Sequence, residues 1–486
     1  MPDPITGFGL VAIVLILAGL LSGLVERGPI SFPMVFLGIG FLIGDQGADI
    51  ISVAPEDETL EVVAILTLAF VLFLDAVKLP LDEVRQNWLV PALALGPGTL
   101  GVIVIVAAFA HILLDTSVVE SLLLGAILSS TDAVVLRDVV RNQHLPNSVR
   151  QALTIEAGAN DVVILPIILV LVAVEEGGMG GGDWLTFLGQ IFILGPLLGF
   201  AIGAVGGYLV AAFDERWNIP REYQALYGVG LVLASYVAAD TLGGDGFLAA
   251  FSAGAAVAFF NYSLCDCFLE YGETTAEMTM LLAFVFFGAA ISTILDDADV
   301  VPTLVLAVLV IAVARPLAIN VVMGKASVSR QARWFIGWFG PRGLNSLLFA
   351  TILVHADVPG AIYLFTTVGL VVLVSVVVHG ATATPLTTLY GRRIAESQQT
   401  LEEERESTAI GLFRPPAAET QRVTVGELAK DLQSPDPPTV LDVRSRAHYA
   451  RDGGDSIPGS IRVLPDHVAE WGHGREGIRR VVTYCT

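Results

Sequence analysis

Glu156, Asn160 and Asp161 stand inside one apolar stretch, from Thr154 to about Val172, that is long enough to cross a bilayer. A carboxylate at mid-membrane costs about 2.5–3.5 kcal/mol on insertion scales, so it normally faces a partner or a water-filled path. Glu156 and Asn160 are four residues apart and share a helix face, with Asp161 about 100° round from Asn160. Two readings stand: polar glue between packed helices, or an ion or proton site. A hard cation seeks oxygen ligands, and a carboxylate is the strongest oxygen ligand available here. Burial disfavours the charged carboxylate, whereas a bound cation favours it.

Three more polar features interrupt apolar runs. Ser129-Ser130-Thr131-Asp132 puts a hydroxyl run and a carboxylate at mid-depth, where hydroxyls can satisfy backbone groups freed by a broken helix. Gly340-Pro341-Arg342-Gly343-Leu344-Asn345 places proline, which removes an amide donor, between glycines, so unwinding is expected. Arg342 stays charged and needs a buried anion, for which Glu156 is the candidate; that pairing would leave Asp161 free to titrate. Asp75, near the end of another run, reads either as a functional carboxylate or as a helix-end charge paired with Lys78 or Arg85. Arg315-Pro316 marks a kink with a structural arginine.

The elements that must hold these groups are helices in a membrane. Of 486 residues, 54% are hydrophobic and 15% charged, and mean hydropathy is +0.72. Apolar runs of about 17–25 residues recur along the first 390 residues. Thirteen spans are expected, near 8–25, 30–44, 60–79, 88–113, 119–141, 150–174, 184–213, 221–241, 245–262, 275–295, 299–323, 332–355 and 361–390. The N-terminus lacks the basic region of a secretory signal. Alternate loops hold all the Lys and Arg, among them Arg27, Arg141, Arg216 and Arg330, while the opposite loops carry acids such as Asp45, Glu58, Glu175 and Asp183. The basic side is cytoplasmic, so the N-terminus lies outside and the C-terminal tail inside the plasma membrane. The net charge of −22 comes mostly from the outer face, raises local cation concentration and accords with a halophilic source.

The fifth and twelfth spans both look interrupted. If spans 1–6 and 8–13 are repeats, the breaks fall at matching positions, the pointer to a mid-membrane site in an inverted-repeat transporter. The half-helix ends would present opposed dipoles that Asp132 and Arg342 balance.

These residues resemble the monovalent cation:proton antiporters. The resemblance rests on Ser130-Thr131-Asp132-Ala133, Glu156 through Asn160-Asp161, Phe335 through Arg342-Gly343, Leu72-Phe73-Leu74-Asp75-Ala76, and Thr366 through His379-Gly380, in the family's order over about residues 8–392. The Asn-Asp motif points to the branch of NhaP-type Na⁺/H⁺ exchangers. The resemblance implies an all-α fold of about thirteen transmembrane helices with inverted repeats, assembled as a homodimer and needing no cofactor or nucleic acid. It implies that Asp161 binds Na⁺ (or Li⁺) or a proton in competition, one for one. Thr131 would supply an oxygen, Asp132 would support the crossed helices, and Asn160, Glu156 and Arg342 would hold the site in shape. Relatives often place a serine after the glutamate; Ala157 stands here, which leaves K⁺/H⁺ exchange as a rival. A third class is an ion or pH sensor that signals to the C-terminal tail.

Beyond Arg393 the composition changes. Residues 393–421 read as a helix extension and linker, with Pro415-Pro416. From Arg422 a small α/β module is expected, with strands at Thr439–Arg444, after Ile457-Pro458-Gly459, and at Val481–Cys485. These signatures resemble a rhodanese-like domain, with Cys485 at the position of its catalytic cysteine. The chain ends at Thr486, before the anion-cradling loop such a cysteine uses, so sulfur transfer is not expected. Cys265 and Cys267 could bind a metal, but no further ligand cluster stands nearby in sequence.

Overall fold

The computed structural model describes residues 4–25, 31–79, 92–141, 145–177, 180–260, 262–295, 299–325, 329–396, 425–434, 437–443, 457–463 and 481–484. The chain divides into two units, Met1–Phe413 and Arg414–Thr486. The described elements of the first are all helices, with a helix over each of the thirteen apolar runs. Among the described residues, seven helices are long and apolar enough to cross a membrane, and five further apolar helices have 10–17 residues.

In chain order the helices are α1 (Pro4–Val25), α2 (Phe32–Ile43), α3 (Glu58–Lys78), α4 (Thr99–Leu114), α5 (Val118–Ile127), α6 (Ala133–Arg141), α7 (Asn147–Glu176), α8 (Gly181–Gly189) and α9 (Gly195–Trp217). They continue as α10 (Arg221–Thr241), α11 (Gly246–Phe260), α12 (Tyr262–Ile294), α13 (Val300–Leu309), α14 (Arg315–Val322), α15 (Arg330–Trp338), α16 (Leu344–His355) and α17 (Ala361–Glu396). Small residues let backbones approach in apolar surroundings. At Gly199 and Gly203 of α9 an added Cβ would meet the backbone of Ala249 and Ala253 on α11, so these two helices lie in direct contact.

Proline shapes the long helices. A π-helical turn over Val310–Ala314 runs straight into Arg315-Pro316, and another over Gln190–Leu194 runs into Gly195-Pro196. Proline lacks the N–H and crowds the carbonyl four residues back, which a widened turn relieves.

Two of the expected spans are broken, as their composition requires. Residues 128–132 separate α5 from α6, and residues 339–343 separate α15 from α16. The two breaks touch: the Asp132 amide donates to the Pro341 carbonyl at 2.9 Å. Around them packs a core that includes Phe73, Leu124, Phe284, Phe287, Phe349 and Phe365, each fully buried.

In the second unit a short helix, α18 (Val425–Asp431), precedes a three-stranded sheet of β1 (Thr439–Asp442), β2 (Ile461–Arg462) and β3 (Val481–Tyr484). The strand order is β2-β1-β3 and both pairings are parallel, with Leu441 opposite Ile461 and Thr439 opposite Val481. Gly459 takes φ +81° in the turn that leads into β2. Parallel neighbours demand crossover connections, which makes this unit α/β. Cys485 and residues 397–424, which hold all but the start of the expected linker 393–421, lie outside the described residues, as do the side chains of Cys265 and Cys267 within α12.

Candidate functional site

The crossing of the two breaks gathers charge at helix ends. A helix N-terminus carries about half a positive charge and its C-terminus half a negative one, each with unsatisfied backbone groups. The Asp132 carboxylate meets two N-termini at once: Oδ1 accepts from the Val134 amide at 2.7 Å and Oδ2 from the Leu344 amide at 2.9 Å. Arg342 meets the end of α5, donating from Nη1 to the carbonyls of Ser129 and Ser130, both at 2.9 Å. Its backbone amide donates to Ser375 Oγ at 2.7 Å, and Ser346 Oγ donates to the Ile127 carbonyl at 2.9 Å.

Glu156 does not pair with Arg342. Arg315 takes it instead through two parallel bonds, Nη1 to Oε1 at 2.5 Å and Nη2 to Oε2 at 2.7 Å, with both side chains buried. Arg315 Nη2 also donates to the carbonyls of Ile336 and Phe339 near the end of α15, at 3.3 and 3.2 Å. The expectation failed for a geometric reason. Arg342 is taken by the Ser129 and Ser130 carbonyls, while Arg315, at the head of α14 just after the π turn, reaches Glu156 on α7. The arginine read as a kink marker is therefore the counter-ion.

Asp161 stands apart from these matched charges. Ser130 Oγ donates to its Oδ1 at 2.6 Å, and the Asn345 amide donates to its Oδ2. Both donors are neutral, and Asp161 is 1% exposed. Beside it, Asn160 Nδ2 donates to Thr131 Oγ1 at 2.5 Å, and Asn160 Oδ1 is buried with no hydrogen-bond partner. That oxygen, the Thr131 and Ser130 hydroxyls and the Asp161 carboxylate are the oxygens here of the kind that could hold a hard monovalent cation.

Asp132, Asn345, Gly158 and Asp75 line a cleft of about 200 Å³ that also touches Lys78 and Glu273. Asp75 is thus joined to the crossing by a cavity. Lys78, one of its expected partners, bonds Glu273 at 3.2 Å; Arg85 lies outside the described residues. Sequence reasoning brought Asp161, Asp132, Thr131, Asn160 and Arg342 to this region and the structure places them together. It assigned Ser130 and Asn345 no bond to Asp161, and Ser375 and His379 no role. An arginine inside an apolar span was signal enough to look for a carboxylate partner of Arg315.

The Na_H_Exchanger family, described as "Sodium/hydrogen exchanger, transmembrane", matches residues 11–389 of the chain. Among curated relatives, the K(+)/H(+) antiporter NhaP2 of Shewanella sp. (strain MR-4) is 31% identical over 392 residues, covering 79% of this chain and 67% of the relative. The Na(+)/H(+) antiporter 2 of Zygosaccharomyces rouxii is 27% identical over 311 residues, 60% of this chain and 38% of that one. Among solved structures, the sodium proton antiporter MjNhaP1 of Methanocaldococcus jannaschii superposes with a TM-score of 0.64 at 20% identity, covering 78% of this chain and 99% of that one.

Proposed function

The chain belongs to the transmembrane sodium/hydrogen exchanger family and is a cation/proton antiporter; from that premise we propose that one site, Asp161, takes either a monovalent cation or a proton, and that the two compete. The observation that carries this reading is the charge arrangement of the crossing. Among its described groups, Glu156 is matched by Arg315, Asp132 by two helix N-termini and Arg342 by helix-end carbonyls. Asp161 meets only the neutral Ser130 and Asn345. An unmatched carboxylate in a buried site is costly until it is neutralised. A proton does this covalently; a cation does it with the help of Ser130, Thr131 and Asn160 Oδ1. A site that holds one or the other, and faces each side in turn, exchanges them one for one.

Na⁺, with Li⁺, is the cation the Asn-Asp motif suggests. K⁺ is the second reading, favoured by the name of the Shewanella relative and by Ala157, which offers no side-chain oxygen. Charge asymmetry of the loops supports an outside N-terminus and a cytoplasmic tail, and the acid load supports a halophilic source. The two touching breaks support inverted repeats, and the family resemblance supports a homodimer. The parallel sheet β2-β1-β3 and the Val481–Tyr484 strand just before Cys485 support a rhodanese-like tail.

The test is proton movement in proteoliposomes holding a pH gradient, with Na⁺, Li⁺ and K⁺ added in turn. Exchange with Na⁺ and Li⁺ alone supports the first reading, and exchange with K⁺ the second. No exchange with any of the three, from folded protein, would overturn antiport at this site in favour of a sensor.

A further inference from the structure

Two residues of α17 bridge the ends of the α15–α16 break. Ser375 and His379 are one helical turn apart and essentially unexposed. Ser375 Oγ accepts the Arg342 amide at 2.7 Å and lies 3.1 Å from His379 Nδ1; His379 Nε2 lies 3.0 Å from the Trp338 carbonyl. With the ring proton on Nε2, His379 donates to the Trp338 carbonyl and accepts the Ser375 hydroxyl at Nδ1, which also lies 2.9 Å from the Ser375 carbonyl. The relay therefore runs from Arg342 through Ser375 and His379 to Trp338, joining the last residue of α15 to the residue that holds α5.

We propose that Ser375 and His379 are positioning residues, a clamp that fixes residues 338–342 so that Arg342 stays on the Ser129 and Ser130 carbonyls and Pro341 on the Asp132 amide. Neither touches Asp161; they act on the cation through the shape of the break. This rests on Asp161 being the exchange site.

The test compares wild type with His379→Ala, His379→Gln, Ser375→Ala and the double alanine variant in proteoliposomes, together with hydrogen–deuterium exchange over residues 338–342. His379→Ala raises the apparent cation KM about tenfold, the value of one buried hydrogen bond, with a smaller change in maximal rate. Glutamine keeps KM within about twofold of wild type, because its amide offers an N–H to Trp338 and an oxygen to the Ser375 hydroxyl. The double variant is no worse than the worse single one, since both break one relay. Amide exchange at Arg342 speeds up in Ser375→Ala, a readout that needs neither transport nor a foldable His379→Ala protein. Unchanged KM in His379→Ala, glutamine as impaired as alanine, additive losses, or unaltered Arg342 exchange would each overturn the clamp. Absent flux in wild type with accelerated Arg342 exchange in Ser375→Ala would sink the antiport reading and leave the clamp standing.

Discussion

Glu156 and Arg315, 159 positions apart in sequence, face each other through two parallel hydrogen bonds of 2.5 and 2.7 Å. The pair ties α7, which carries Asp161, to α14 and through it to the end of α15. Removing one member leaves an uncompensated buried charge, at a cost of about 3–5 kcal/mol. Arg315→Ala is therefore expected to lower thermal stability in detergent strongly. The double variant Glu156→Leu/Arg315→Met should recover much of that loss, because no charge is left unmatched. A double variant that melts below both singles would show that the pair matters for reasons other than charge compensation.

Asp132 uses both carboxylate oxygens as acceptors, one for Val134 and one for Leu344. Asparagine has one oxygen and turns its amide nitrogen towards a backbone donor. Asp132→Asn should thus orphan one amide and destabilise by about 1–3 kcal/mol, with transport falling alongside. Equal melting temperatures for the two proteins would remove Asp132 from its capping role.

Gly343 packs against the same carboxylate. An added Cβ would fall on the Asp132 Oδ2 and Cγ atoms, so Gly343→Ala must push the cap away from Leu344. Overpacking of this kind costs about 1–3 kcal/mol. The variant should melt lower than wild type and show reduced exchange; an unchanged melt and flux would mean that the break can take up a methyl group without moving the cap.

Asn345 donates to Asp161 and lines the cleft. A hydrogen bond to a charged group contributes about 1.5–3 kcal/mol, so Asn345→Ala should change the apparent cation KM about tenfold or more. Titration of KM with K⁺ and Na⁺ separately would also show whether Asn345 discriminates between them. No effect on either cation would confine the site to Asp161 and the α5 hydroxyls.

The helices were legible because apolar runs and loop charge leave few alternatives in a bilayer. The two breaks were legible for a local reason: Ser130-Thr131-Asp132 and Gly340-Pro341-Arg342-Gly343 cannot continue an apolar helix without cost. The opposed roles of Asp132 and Arg342 at helix ends came from the dipoles alone. The partner of Glu156 was not legible, because it depends on helix rotation. One extra residue in the π turn over Val310–Ala314 rotates the α14 side chains by about 100°, and no spacing rule applied to Arg315 anticipates that. The bonds from Ser130 and Asn345 to Asp161 were likewise hidden, since the partners of a neutral side chain show only once the carboxylate is in view.

Competition at one carboxylate also fixes the sign of the pH dependence. Protons displace the cation, so the apparent cation KM should rise as pH falls, approaching about tenfold per pH unit where the protonated form dominates. A KM that is flat with pH would separate the proton path from the cation site.

The most direct measurement is cation-driven proton movement in proteoliposomes of wild type beside Asp161→Asn, with Na⁺, Li⁺ and K⁺ in parallel. Asparagine keeps the shape and loses the exchangeable charge. Exchange at Asp161 predicts flux in wild type and none above empty vesicles in the variant, for every cation the wild type carries. Equal flux in both proteins would contradict it and move the site to another carboxylate, with Asp132 and the cleft residue Asp75 next in line.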